Sequence, residues 1–266
     1  MKVGIAGFGT IGQRVASALD QGIEGLELCG VMTRSAEKAQ RALAQFRRPV
    51  ALMSIEELAR AADVVVECVP KAAFAQVAPV VISHRKLLVT VSGAALLEHP
   101  ELVEEARRRG GRIILATGAL LGLDAVRAAA EGVIHSVSMI TRKPPRSLTE
   151  APIVKERGID LDALREPLQL FCGNAREGAR QFPANVNVAA ALGLAGIGPD
   201  RTQLQIWADP ACSRNTHTII IEADSARLEM KIENVPSEEH PGTGKITPLS
   251  VIALLRSLAA PLRVGT

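Results

Sequence analysis

Tyrosine is missing from this 266-residue chain, and its single tryptophan is accompanied by only five phenylalanines. Surfaces that stack nucleic-acid bases are built from aromatic rings, so this shortage excludes such a platform and leaves the core to aliphatic side chains. Charge of one sign is scarce as well: Lys and Arg total 31 against 28 Asp and Glu, a net +3. The basic runs Arg47-Arg48 and Arg107-Arg108-Arg109 read as solvated helix ends, so no nucleic-acid partner is expected. Cys29, Cys68, Cys172 and Cys212 lie too far apart in sequence for a zinc site or a dense disulfide framework. Reduced, mostly buried thiols in a cytoplasmic protein are the expectation. No stretch offers about 18 uninterrupted apolar residues, and the first apolar residues belong to a strand, so neither a membrane span nor a targeting segment is expected.

Glycine is present in a telling arrangement. Gly7, Gly9 and Gly12 follow the apolar run 3–6 and lead into the amphipathic run 11–19. In a strand–turn–helix context, the first glycine makes the tight turn, the second lets backbone approach a pyrophosphate, and the third lets helix and strand pack closely. Free N–H groups at the helix start then face the anion. Gly7, Gly9, Thr10, Ile11 and Gly12 are therefore candidate dinucleotide contacts.

Through residue 116 a strand and a helix alternate. Strands are expected at 2–6, 26–32, 64–68, 87–91 and 112–116, with helices around 11–21, 35–46, 71–83 and 99–109, which predicts a parallel sheet covered on both faces. An α/β chain is therefore expected, with residues 1–122 forming a Rossmann dinucleotide-binding domain. After Gly122 the rhythm changes: 135–142 reads as a strand, 160–197 as helix-rich, and 203–208, 216–223 and 226–233 as consecutive antiparallel strands. Leu228, Met230 and Ile232 alternate with Arg227, Glu229, Lys231 and Glu233, the period of a sheet with one wet face. Residues 123–245 are expected to form a second α/β domain with a mostly antiparallel sheet, and the helix within 246–266 to return to the first domain.

The second strand ends in Val31-Met32-Thr33-Arg34-Ser35, without the acid that ordinarily holds an adenosine ribose. Arg34 and Ser35 are thus candidate contacts for a 2′-phosphate, making either NAD or NADP admissible; the plainer reading is a solvated helix start. Glu67-Cys68-Val69-Pro70 and Val91-Ser92-Gly93-Ala94 follow strands where the cofactor should run, and the small residues of Thr117-Gly118-Ala119 would admit nicotinamide. In the second half His217 opens a strand. Its ordinary pKa suits proton transfer near neutrality, although a lone histidine there is more often structural. His84 and His99 fall at helix margins, His135 opens a strand, and His240 lies in a loop where it could meet substrate. Asn187 stands at a helix start, where it could cap the helix or bind a ligand. Arg142, Lys143 and Lys245 are candidate clamps for substrate carboxylates, with solvent exposure as the alternative. No Ser–His–Asp arrangement or metal-ligand spacing emerges.

Several blocks in order resemble the L-aspartate dehydrogenase family: the glycine fingerprint, Ser92-Gly93-Ala94, Thr117-Gly118-Ala119 through Asp124, Thr141-Arg142-Lys143-Pro144-Pro145, Phe182-Pro183-Ala184-Asn185-Val186-Asn187-Val188, Asp209-Pro210 through Asn215-Thr216-His217, and Glu233-Asn234-Val235-Pro236-Ser237. The resemblance implies oxidation of a dicarboxylic amino acid, L-aspartate, to iminoaspartate with NAD or NADP. It further implies that residues 123–245 are the catalytic and dimerisation domain, with a catalytic His217, cofactor contacts at Gly118, Ala119 and Asn187, a homodimer, and a product that can feed NAD biosynthesis. One block departs: the family's Asn-Pro-Lys-Thr-Ser-like turn is replaced by His240-Pro241-Gly242-Thr243-Gly244-Lys245, which shifts the lysine. Two alternatives stand beside this reading. One is a reductase of the dihydrodipicolinate class, which lacks support from paired histidines followed by lysine. The other is a non-catalytic dinucleotide-sensing module.

Overall fold

Short runs of valine, isoleucine and leucine joined by amphipathic helices can bury both sheet faces only when helices cover each side. The computed structural model, which describes residues 1–182, 186–238 and 243–265, contains such a unit, formed by Met1–Ala116 and Thr247–Val264. Its elements are β1 (Lys2–Ala6), α1 (Thr10–Gln21), β2 (Glu27–Met32), α2 (Ala36–Leu43), α3 (Ile55–Ala61), β3 (Val64–Glu67), α4 (Lys71–Ser83), β4 (Leu87–Thr90), α5 (Gly93–Glu98), α6 (Glu101–Arg109) and β5 (Arg112–Leu115). The strands are all parallel in the order β2-β1-β3-β4-β5. Val3, Ile5, Val64, Val66 and Val89 pack on one side with Val15, Leu19 and Leu43 and with Val251 and Leu255 of the last helix. Ala6, Val65 and Leu88 pack on the other with Leu58, Phe74, Val81 and Leu102.

Two helices here go beyond the sequence expectation. Helix α3 opens on a capping box, in which the Ser54 hydroxyl accepts from Glu57 N–H while the Glu57 carboxylate accepts from Ser54 N–H. Helix α5 is only one and a half turns long and follows Ser92 directly.

The second unit is built on Thr117–Ile246. Its boundary falls before residue 117 instead of after 122, because 117–122 is bonded into it. Asn234 Nδ2 donates to the Ala119 carbonyl at 3.0 Å, and a Cβ on Gly122 would stand 2.2 Å from Met230 Sδ. The elements are α7 (Leu123–Ala130), β6 (Ile134–Lys143), α8 (Pro152–Glu156), β7 (Leu168–Asn174), α9 (Ala175–Gln181), α10 (Asn187–Ala195), β8 (Thr202–Ala208), β9 (Asn215–Ala223) and β10 (Arg227–Asn234); α11 (Ile246–Ala259) closes the chain. The sheet order is β10-β9-β6-β8-β7, with every neighbouring pair antiparallel except β6 and β8.

Two expectations are corrected. The stretch 160–197, expected to be helix-rich, holds α9 and α10 but also a strand, β7, which pairs with β8. Strands β8 and β9 are not neighbours either: β6 lies between them, pairing parallel with β8 and antiparallel with β9. Helical connections between β6 and β8 supply the crossover that parallel pairing requires. Val137, Met139, Leu204, Ile206, Ile219 and Ile221 are buried on one face of this sheet. Leu228, Met230 and Ile232 continue that face but stay only partly buried, because β10 is an edge. Among the described residues, no helix is long and apolar enough to cross a membrane.

Candidate active site

The glycine fingerprint forms a turn with a defined steric role at each position. Gly7 has φ +100°, and a Cβ there would lie 2.6 Å from the Cys68 carbonyl oxygen. A Cβ on Gly12 would lie 2.0 Å from the Gly7 oxygen, whereas one on Gly9 would meet nothing within 4 Å. The first and third positions are therefore closed to other residues, while the second borders open space. Thr10 and Ile11 start α1, whose N-cap is Gly9; no side chain caps it and no acid stands in its first turn. Uncapped amides at a positive helix end, beside open space, fit a dinucleotide pyrophosphate.

Beyond β2, Ser35 N–H donates to Thr33 Oγ1 at 3.2 Å, and Arg34 and Ser35 are exposed. The first acid after them, Glu37, is paired with Arg41 on α2. The end of β2 thus presents a cation and hydroxyls, with the next acid in sequence already paired, an arrangement that suits a phosphate at least as well as a ribose hydroxyl.

The second unit gathers polar side chains on the buried face of its sheet. Strand pairing sets Thr141 opposite His217, His217 opposite Ile232, and Asn215 opposite Asn234. Lys143, two residues beyond Thr141, shares its face because strand side chains alternate. Thr141, Lys143, Asn215, His217 and Asn234 are all buried, His217 to 3% and Lys143 to 4% exposure. Thr141 Oγ1 lies 3.0 Å from His217 Nδ1 and fixes the ring. Burial, and secondarily the Lys143 charge, push His217 down to about 3. Burial alone brings Lys143 down to about 8. With Asn234 Nδ2 given to Ala119, its Oδ1 is a buried acceptor that has no hydrogen-bond partner among the described residues. Such an acceptor costs about 1–3 kcal/mol when left unmade, so it marks a place where a ligand donor would be welcome.

Gly118 and Ala119 are brought to this cluster through Asn234, a residue of the 233–237 motif to which the sequence alone assigns no role. Arg142 is not brought there. It occupies the opposite sheet face, where its Nη1 donates to Asp209 at 3.1 Å and its guanidinium lies 5.1 Å from the Trp207 ring centroid. Lys245 is exposed and pairs with Glu238 at 2.7 Å. Asn187 is the first residue of α10, and the N-cap is Val186. His84 bonds the Val80 carbonyl at 2.9 Å, His99 pairs with Glu101, and His135 is exposed. His240, Pro241, Gly242 and the Pro183-Ala184-Asn185 segment lie outside the described residues.

Comparison with known proteins agrees with this division. Residues 124–258 match the family described as aspartate dehydrogenase, C-terminal, and residues 7–116 match the homoserine dehydrogenase NAD-binding domain. The chain is 55% identical over its whole length to L-aspartate dehydrogenase of Bradyrhizobium diazoefficiens, covering 94% of that protein. It is 51% identical over 99% of its length to L-aspartate dehydrogenase 3 of Bordetella bronchiseptica, covering 97% of it. The crystal structure of aspartate dehydrogenase from Thermotoga maritima superposes with a TM-score of 0.74 at 24% identity, over 100% of this chain and 99% of that one. The first unit is accordingly an NAD-binding domain of dehydrogenase type, and the chain as a whole belongs to the L-aspartate dehydrogenase family.

Proposed function

We propose that this protein oxidises L-aspartate to iminoaspartate with NAD or NADP, the imine then being released or hydrolysed to oxaloacetate and ammonia, in a reversible reaction. The observation that carries the reading is the burial of Lys143 and His217 on one sheet face, beside the loop that holds Gly118 and Ala119. Bound nicotinamide supplies the two-electron acceptor for the Cα hydrogen. The chain supplies orientation, charge and a base.

Lys143 is the cation suited to a substrate carboxylate, because a buried ammonium gains most from an anionic partner. A substrate carboxylate beside Lys143 offsets the positive charge that helps depress His217, so substrate arrival makes the imidazole more basic. Thr141 Oγ1 holds Nδ1 at 3.0 Å, and in the tautomer that carries its proton there Nε2 keeps its lone pair and can take a proton from the substrate amine or from water adding to the imine. Asn234 Oδ1 offers an acceptor to an N–H of substrate or of the nicotinamide carboxamide. Gly7, Gly9, Thr10, Ile11 and Gly12 hold the pyrophosphate, Arg34 and Ser35 the adenosine end, and Gly118, Ala119 and Asn187 the nicotinamide end. Arg142, already committed to Asp209 and Trp207 on the far face, has no part in this scheme. Lys245 serves only as an outer charge.

The four cysteines are free thiols, which suits the reducing cytoplasm. The partly exposed face of the second sheet suits a homodimer. A product imine that can feed NAD biosynthesis is the corresponding metabolic placement.

Nicotinamide absorbance with L-aspartate and NAD+ or NADP+, and in reverse with oxaloacetate and ammonia, tests the reaction. Aspartate-dependent reduction is expected; tight dinucleotide binding without turnover of any dicarboxylic amino acid would leave a sensor instead. His217→Ala should lower kcat by about 10²–10⁴ while dinucleotide affinity is retained. Turnover equal to wild type would remove the histidine from the mechanism.

A further inference from the structure

Glu67 ends β3 with its carboxylate fully withdrawn from solvent. Its Oε1 accepts from Val69 N–H at 2.8 Å and from the Ser92 hydroxyl at 3.1 Å, and its Oε2 accepts from the Thr90 hydroxyl at 2.5 Å. Thr90 Oγ1 in turn accepts from Ser92 N–H at 2.9 Å. One anion therefore ties together the ends of two adjacent parallel strands, β3 and β4, and the turns that leave them. Hydrogen bonds to a charged acceptor are the strong ones, and all three favour the ionised form. Burial opposes them and carries the carboxyl up to about 7. An amide or apolar side chain could fill this space without desolvating a charge, so the carboxylate is a costly choice for packing alone.

The segment that this clip holds lies directly under the glycine turn. Val69 N is 2.8 Å and the Cys68 carbonyl oxygen 2.6 Å from the place where a Gly7 Cβ would stand. The Cys68 thiol donates to the Gly7 carbonyl at 3.1 Å, and its sulfur would lie 3.1 Å from a Cβ on Gly12. Residues 68 and 69 are thus the floor against which the first and third glycines are pressed. Cys68 is the ionisable neighbour that feels the Glu67 charge, and burial holds its thiol neutral.

We propose that Glu67 is a positioning residue for the dinucleotide: without touching it, the carboxylate locks the 68–69 segment beneath Gly7 and so sets the shape of the phosphate cradle. This rests on the dinucleotide reading of the first unit and is independent of the choice of aspartate as substrate.

Calorimetric titration of the full chain with NAD+, whose pyrophosphate stays ionised throughout, tests it between pH 6 and 8.5. Glu67→Gln keeps the size but turns an acceptor into a donor. It should weaken NAD+ binding about tenfold at pH 8 and leave kcat at saturating NAD+ within about twofold. Wild-type affinity should weaken as pH falls through about 7, because protonation costs the clip an acceptor, whereas Glu67→Gln should show no such inflection. Thr90→Val, which withdraws one donor from the carboxylate and the acceptor of Ser92 N–H but keeps the charge, should weaken NAD+ binding by a smaller factor and decides the matter if the first variant does not fold. Unchanged affinity in the folded variants, or a loss confined to kcat, overturns the proposal. A wild type that fails to bind NAD+ overturns it together with the dinucleotide reading. A wild type that binds NAD+ yet leaves aspartate untouched removes only the substrate.

Discussion

His217 and Lys143 are buried on the same sheet face, and the depression of each follows chiefly from burial. Their pH behaviour differs because they start from different ordinary values. His217 is neutral throughout the working range, so it contributes no inflection near neutrality. Lys143 is charged below about pH 8 and able to pair a carboxylate; above that it loses its proton and its grip. Deprotonation of the substrate amine makes kcat/KM climb with pH, while discharge of Lys143 makes it fall beyond about 8. Lys143→Met should therefore abolish the falling limb and raise the KM for aspartate about tenfold or more, and Lys143→Arg should recover part of the affinity. A falling limb that survives in Lys143→Met would assign it to another group. The sequence made His217 and Lys143 candidates but ranked Arg142 with them, and only strand alternation separates the last two. Asn234 carried no individual signal, because its meaning lies in a bond to Ala119, 115 residues away.

Elements that bury residues at a regular period were legible, and those held by a single local device were not. The parallel strands of the first unit are continuous apolar runs, and their ends fall where such runs stop. Helix α3 has only a short buried face, and its one signature in the sequence is local, Ser54 followed three residues later by Glu57. The same device, Asn174 with Glu177, starts α9 directly after β7, so the strand runs into the helix with no intervening loop, and the cap is the boundary's signal. The order of strands in the second sheet was beyond reach for a different reason: alternation tells which face is buried, not which strand lies alongside. The junction of β2 with α2 carries its own consequence. Because Arg34 is exposed there and Glu37 is taken by Arg41, Arg34→Ala should weaken NADP+ binding several-fold and change NAD+ binding by less than about twofold. Equal losses for the two cofactors would place the arginine outside the 2′-phosphate site.

For the whole molecule the open question is what meets the second face of the sheet in the second unit. Ser138, Ile140, Gln205, Trp207, Thr218 and Ile220 alternate with the buried residues and are partly exposed. Register places Ser138 beside Ile220 and Ile140 between Gln205 and Thr218, so the isoleucines sit among small and amide side chains. The charges at the margin are already neutralised within the chain, Arg227 by Glu222 and Glu229, each at 3.0 Å, and Lys231 by Glu233 at 2.6 Å. A face with an aliphatic centre and internally paired charges loses little by leaving water, which suits an isologous contact with a second copy of the chain. Ile220→Glu would place an unpaired carboxylate at that centre without touching the buried face that carries His217. Light scattering after size exclusion should then give a dimer mass for wild type and a monomer mass for the variant, with dinucleotide binding retained. A dimer that persists in Ile220→Glu would move the interface to another surface, and a monomeric wild type would remove the dimer altogether.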